Sequence, residues 1–214
     1  MQQIAFSFDA SNAHDWDEYI RSSSNEHAYN AITNWQKSWG VEPYPKTLIL
    51  EGPKSSGKTF LAKKWAADSG AIFIKKLHEL TESILDHHKA FIIDDFDKKW
   101  NEQAVFHHFN AIAEKNKHLL ITSTKLPKIQ LPDLASRINA TNKVTIALPD
   151  DDMMQMLIFK LFSNHSIVVG PEIISYLIKT LPREFPEIVN AVEKINSYAL
   201  EHKRKITIPL IKQI

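Results

Sequence analysis

Gly52-Pro53-Lys54-Ser55-Ser56-Gly57-Lys58-Thr59 fits the phosphate-binding pattern G-x-x-x-x-G-K-[ST] at every fixed position. Its flanks agree. Thr47-Leu48-Ile49-Leu50-Glu51 reads as a short buried strand, and Phe60-Leu61-Ala62-Lys63-Lys64-Trp65-Ala66 as an amphipathic helix. In a strand–loop–helix unit the glycines let the backbone turn its N–H groups toward a phosphate, and the helix N-terminus adds its positive dipole end. Lys58 is then the residue that reaches the β- and γ-phosphates, and the Thr59 hydroxyl the one that holds Mg²⁺. A chance match would have to put two of only five glycines at the two required places.

Working outward, strands and helices alternate from residue 47 to 148. Strand candidates are 47–51, 71–75, 90–94, 118–123 and 143–148. Helix candidates are 57–69, 78–87, 101–115 and 132–138. The last three strands are nearly continuous apolar or β-branched runs, which predicts burial on both faces. Alternation of this kind predicts an α/β fold, a five-stranded parallel sheet with helices on both faces. Upstream, Asn25 is placed to cap a helix running through Ala28, Ala31, Ile32 and Trp35. After Pro149 the pattern becomes helical. Asp150-Asp151-Asp152 supplies a cap and first-turn charge, further helices follow Gly170-Pro171 and Pro182, and a short one lies near Pro209. The expected organisation is a leader (1–15), a nucleotide-binding core (16–149) and a small all-helical lid (150–214).

Composition excludes several classes. With 26 Lys+Arg against 25 Asp+Glu, the whole chain has no general attraction for nucleic acid, although Lys54, Lys58, Lys63 and Lys64 cluster locally. Cysteine is absent, which removes disulfides and thiol chemistry. Neither a signal peptide nor a membrane-spanning stretch is visible, so a cytoplasmic protein with no membrane partner is expected. The adjacent pairs His87-His88 and His107-His108 do not share a face and read as ordinary histidines.

Ala90-Phe91-Ile92-Ile93-Asp94-Asp95 is an apolar strand ending in two acids. Alone these are capping carboxylates. Some forty residues after a phosphate loop, they suit Mg²⁺ coordination (Asp94) and orientation of an attacking water (Asp95). Leu119-Leu120-Ile121-Thr122-Ser123-Thr124 ends in hydroxyls that either face a γ-phosphate or simply terminate the strand. Arg137 and Arg183 are candidates to stabilise phosphate charge, against the alternative of solvated surface arginines.

Taken in order, the phosphate loop, the Ile93-Asp94-Asp95 strand, the Ile121-Thr122-Ser123 strand, Leu134-Ala135-Ser136-Arg137 and a helical lid carrying Arg183 resemble AAA+ ATPases of the DnaA replication-initiator group. The entry stretch Trp16-Asp17-Glu18-Tyr19-Ile20 and Ser24-Asn25-Glu26-His27-Ala28-Tyr29 is similar to that family's adenine-contacting segment. Within the group, Leu131-Pro132-Asp133-Leu134-Ala135-Ser136-Arg137 and Arg204-Lys205-Ile206-Thr207-Ile208-Pro209 look like the short Hda branch (HdaA in some bacteria). The leader Gln3-Ile4-Ala5-Phe6-Ser7-Phe8 resembles its sliding-clamp motif, in which Gln3 would hydrogen-bond while Ile4, Phe6 and Phe8 anchor in an apolar groove. The sequence departs from the initiators at Thr124, where they carry an acid, and at Pro186 in the lid helix.

The resemblance implies an AAA+ phosphate-loop NTPase core with a helical lid. It implies ADP or ATP with Mg²⁺ held by Gly52, Pro53, Lys54, Ser55, Ser56, Gly57, Lys58, Thr59 and Phe60. Asn25 would lie near the base and Arg183 would touch the nucleotide from the lid. Asp94 and Asp95 would serve metal and water, and Thr122 and Ser123 would sense the γ-phosphate. Arg137 would be an arginine finger for a neighbouring subunit. The implied function is regulation of replication initiation, with the DnaA initiator and the DNA polymerase III sliding clamp (β subunit) as partners, DNA touched only indirectly, and a homo-oligomer left open. The alternative is an autonomous AAA+ ATPase, such as a helicase-loader relative.

Overall fold

The computed structural model describes residues 19–37, 39–77, 80–97 and 100–214. Five parallel strands form one sheet in the order β2-β3-β4-β1-β5: β1 (Thr47–Glu51), β2 (Ile72–Phe73), β3 (Ala90–Ile93), β4 (His118–Ser123) and β5 (Asn142–Thr145). Parallel pairing needs a crossover after each strand, and helices supply it. These are α2 (Lys58–Ser69), α3 (Glu82–His87), α4 (Glu102–Glu114) and α5 (Pro132–Ala140), preceded by α1 (Glu26–Thr33).

Burial on both faces explains why the middles of the inner strands are continuously apolar, since successive side chains point to opposite faces. Ile49, Phe91, Ile93, Leu119 and Ile121 point to one face and pack on Leu85 of α3, on Val105, Phe109 and Ile112 of α4, and on Leu134 and Ile138 of α5. Leu48, Leu50, Ile92 and Leu120 point to the other and pack on α1 and α2, with Trp39 and Trp65. Every residue in these two sets is buried.

The two edge strands correct the sequence reading. β2 has two residues rather than five, although Ile74 N–H continues the pairing to Ile92 O at 2.8 Å. β5 ends at Thr145 and is half exposed rather than covered on both faces, as Lys143 and Thr145 lie in solvent. An edge strand has a neighbour on one side only. Beyond it Ile146 N–H still reaches Glu51 O, and Ala147 N–H turns away to Ser24 O. α3 also starts later than expected, because the Thr81 side chain caps it by accepting from Ile84 N–H.

After Pro149 come α6 (Asp151–Asn164), α7 (Pro171–Thr180), α8 (Phe185–Glu201) and α9 (Ile208–Ile211). Met154, Ile158 and Phe162 of α6 meet Ile173 and Leu177 of α7 and Ile188, Val192 and Ile195 of α8 in a core separate from those of the sheet. Asp150 caps α6, its carboxylate accepting from Met153 N–H at 2.7 Å. Pro186 falls in the first turn of α8, where a missing N–H costs nothing.

Candidate functional site

β1 lies between β4 and β5, so the loop after it opens at the carboxyl edge of the sheet beside the ends of β3 and β4. Gly57 takes φ +91°, and a side chain there would meet the Tyr19 ring at 3.0 Å. A Cβ on Gly52 would lie 2.9 Å from Ser56 Oγ and from Ile146. Both glycines are therefore required, one by conformation and one by space.

Lys58 opens α2 and is buried, 6 % exposed, with Nζ donating to Gly52 O (2.8 Å) and Pro53 O (2.7 Å). Burial pulls its pKa below the ordinary lysine value, opposed by the nearby Asp97, Asp95 and Asp94. Thr59 Oγ1 donates to Asp94 Oδ2 at 2.9 Å, and Thr122 Oγ1 donates to the other oxygen of the same carboxylate. Asp95 N–H donates to Thr122 Oγ1 at 3.0 Å, with Asp95 itself at φ +56°. A non-glycine residue held there marks a turn the surroundings enforce. The structure thus brings Lys58, Thr59, Asp94, Asp95 and Thr122 together.

This donor set fits a phosphate and a hard cation. An ammonium is already desolvated, a hydroxyl and a carboxylate converge on one point, and Ser56 Oγ is buried with no hydrogen-bond partner among the described residues. Oxygen donors of this kind suit Mg²⁺, with phosphate and water completing its shell.

Asp97 is a site residue the sequence reading missed. Its Oδ1 accepts from Thr124 N–H (3.2 Å) and Ser123 Oγ (3.4 Å), so it closes the end of β4 and supplies Lys58 with its strongest carboxylate field. Burial works against the Asp97 charge, but the Thr124 and backbone hydrogen bonds and Lys58 hold its pKa below the ordinary carboxylate value. In sequence Asp97 looks like solvated charge beside Lys98 and Lys99, and only the enforced turn at Asp95 brings it back.

A cleft of about 270 Å³ separates the loop from the helical unit, with Ser56, Gly57 and Phe60 on one wall and Met153, Leu157 and Leu161 on the other. Two of its lining residues, Tyr19 and Phe60, belong to an aromatic stack. Tyr19 lies on Phe60 at 5.3 Å and on Tyr29 at 5.7 Å, both near parallel. Burial raises the Tyr19 pKa, keeping the phenol neutral. Asn25 lines the same cleft but caps α1 by position only. Its amide donates to Ile20 O (2.8 Å) and accepts from Ser22 N–H (3.0 Å), which fixes the entry segment. Lys54 and Ser55 stay exposed at the loop tip.

The two arginines lie elsewhere. Arg137 sits in the helical layer opposite α2, where Nε donates to Asn110 Oδ1, a terminal N–H donates to Asp133 O (3.1 Å), and the guanidinium lies 4.4 Å from the Phe106 ring centre. None of these partners is a carboxylate, so its charge is uncompensated among the described residues. Arg183 is exposed at the joint between sheet and helical unit, paired with Asp151 and donating to Pro149 O (3.2 Å), and it does not reach the loop. Asp150 ties the same joint to the entry segment, accepting from Ser23 Oγ (2.7 Å) and Ser24 N–H (3.1 Å). Gln3, Ile4, Phe6 and Phe8 lie outside the described residues.

Comparison with known proteins agrees with this layout. Residues 150–214 match the family described as "Hda, lid domain". The chromosomal replication initiator protein DnaA of Wolinella succinogenes is 25 % identical over 93 % of this chain and 51 % of its own length. The chain therefore spans about half the length of the curated relatives it matches. Domain III of the Thermotoga maritima replication initiation protein DnaA superposes with a TM-score of 0.68 at 16 % identity, covering 91 % of this chain and 92 % of that one. AMPPCP-bound DnaA from Aquifex aeolicus superposes with a TM-score of 0.63 at 19 % identity, covering 86 % and 65 %.

Proposed function

We propose that this chain, a DnaA-related AAA+ protein close to Hda, is a nucleotide-gated regulator of replication initiation. In this reading it holds adenine nucleotide in the loop cleft, docks on the sliding clamp through Gln3, Ile4, Phe6 and Phe8, and stimulates ATP hydrolysis by the DnaA initiator through Arg137. The observation that carries the reading is the separation of two cations. Lys58 is embedded among its own chain's carboxylates, whereas Arg137 is cradled by neutral groups on another face and keeps a charge free for an outside anion.

Each residue then has a stated task. The loop amides and Lys58 bind phosphate oxygens, for which Lys58 must leave the Gly52 and Pro53 carbonyls. Thr59 and Asp94 hold Mg²⁺, which supplies charge neutralisation when bound. Tyr19 and Phe60 give the base an aromatic wall, and the helical unit, residues 150–214, excludes water from above. Asn110 and Phe106 hold the Arg137 guanidinium so that little side-chain entropy remains to be lost on contact. The bound AMPPCP of the Aquifex aeolicus structure supports adenine nucleotide as the ligand class.

The test is an initiator ATP-hydrolysis assay with clamp and DNA, comparing the parent with Arg137→Ala. Stimulation by the parent alone is expected, and equal stimulation by both would remove Arg137 from the mechanism. Intrinsic hydrolysis is a second reading, favoured by Asp95 at the enforced turn beside Asp94 and Thr122. It predicts turnover by the isolated protein that Asp95→Asn abolishes.

A further inference from the structure

A groove in the helical unit lies away from the nucleotide cleft, between the turn after α6 and the end of α8. It measures about 630 Å³ and has apolar walls, Ile167, Val168, Leu200 and Ile206, under a basic rim of Lys203, Arg204 and Lys205. Val168 is 97 % and Leu200 69 % exposed, so two large aliphatic side chains stand in water. At its floor Asn196 is 92 % buried, and its Oδ1 has no hydrogen-bond partner among the described residues. A buried carbonyl oxygen left unpaired costs about 1–3 kcal/mol, which an N–H donor entering the groove would recover. The groove thus calls for an acidic, apolar segment with amide donors.

The chain holds one such segment. Residues 1–18 include Asp9, Asp15, Asp17 and Glu18, no lysine or arginine, the apolar Ile4, Phe6 and Phe8, and the amides of Gln2 and Gln3. The described chain starts at Tyr19, in the cleft that Asn164 at the end of α6 also lines, and the groove begins three residues later at Ile167. Eighteen residues can span up to roughly 60 Å, far more than this step requires. We infer that residues 3–17 dock in the groove of their own chain, with their acids against Lys203 and Lys205 and an N–H on Asn196. The inference does not depend on clamp docking, although a leader held there would compete with it.

Because the chain lacks cysteine, Ser7→Cys gives a single attachment site for a nitroxide on the full-length protein. Paramagnetic loss of amide NMR signal is expected at Val168, Leu200 and Ile206. It should disappear in Leu200→Glu/Lys205→Glu, both exposed positions, and also in Asp15→Lys/Asp17→Lys, which leaves the groove untouched. An even spread of weak loss would overturn the inference. So would loss seen only when unlabelled nitroxide-bearing chains are mixed with isotope-labelled ones, since the occupant would then be a second copy. Groove amides that respond to a single-stranded oligonucleotide but not to the nitroxide would assign the basic rim to nucleic acid and equally overturn it.

Discussion

Lys58 and Arg137 are both cations read from the sequence as phosphate ligands, yet the molecule holds them in opposite ways. Lys58 is buried, bonded to two loop carbonyls and faced by Asp94, Asp95 and Asp97. Arg137 is half-buried with an amide oxygen, a carbonyl and an aromatic ring for partners. A cation that serves its own chain's site can be matched by that chain's acids, because the arriving phosphate meets cation, acids and metal together. A cation that serves a neighbour's site must keep its charge unmatched and its geometry fixed. Arg183 makes the contrast from a third side: it is paired with its own chain's Asp151 at an exposed joint.

The largest expected effect breaks the comparison on the Arg137 side. Arg137→Ala should lower stimulated initiator hydrolysis by about 10³-fold, the scale of an arginine finger. Nucleotide affinity of the chain itself should stay within about twofold, since a distant surface change adds little to binding. Arg137→Lys should not restore stimulation, because an ammonium loses both the fork geometry and the seat on Phe106. Equal loss of nucleotide binding, measured by fluorescent-nucleotide titration, would collapse the two sites into one.

On the other side, Lys58→Ala should weaken nucleotide binding by about 50-fold, the worth of a charge-assisted hydrogen-bond set near 2–3 kcal/mol. Apo stability should fall little, since the removed ammonium also leaves a desolvated position. Asp97→Ala should act the other way round. Thr124 N–H and Ser123 Oγ lose their acceptor, at a cost of about 1 kcal/mol and a Tm lower by roughly 2–4 °C. An unchanged Tm in calorimetry would mean that Asp97 does not close the end of β4.

How much of this was legible in the sequence follows from the physics of each residue. The phosphate loop, the inner strands and the Asp150 cap rest on local pattern, and local pattern survives folding. β5 was misread because Lys143 and Thr145 can line either an edge or an interior, and only sheet order decides between them. Asn25 carries cap chemistry, yet its amide is spent on the backbone of residues 20–22. Asp97 depends on a reversal at Asp95 that no periodicity announces. Nor did periodicity locate Arg137: its finger role came from resemblance, and its lack of a carboxylate partner among the described residues is a tertiary property.

The smallest effect uses the opposite end of β4 as a control on both sites. Thr122 and Ser123 end that strand in the polar cluster, whereas His118 begins it among Trp35 and Trp39, at 5.0 and 5.5 Å between ring centres. Burial, aided by Lys46, lowers the His118 pKa from 6.5 to about 4. The folded state therefore binds this proton less readily than the unfolded chain. Its stabilising contribution is complete above about pH 6.5 and declines as pH falls toward 4, by on the order of 2 kcal/mol after allowance for partial solvent contact. His118→Phe keeps an aromatic ring against the tryptophans and removes the titration. Urea unfolding midpoints of parent and variant, compared between pH 7 and pH 4, should diverge in the variant's favour as pH drops, while nucleotide affinity at pH 7 stays equal. Parallel midpoint curves would show that the ring titrates with its ordinary pKa, and that this end of β4 is open to water like an exposed edge.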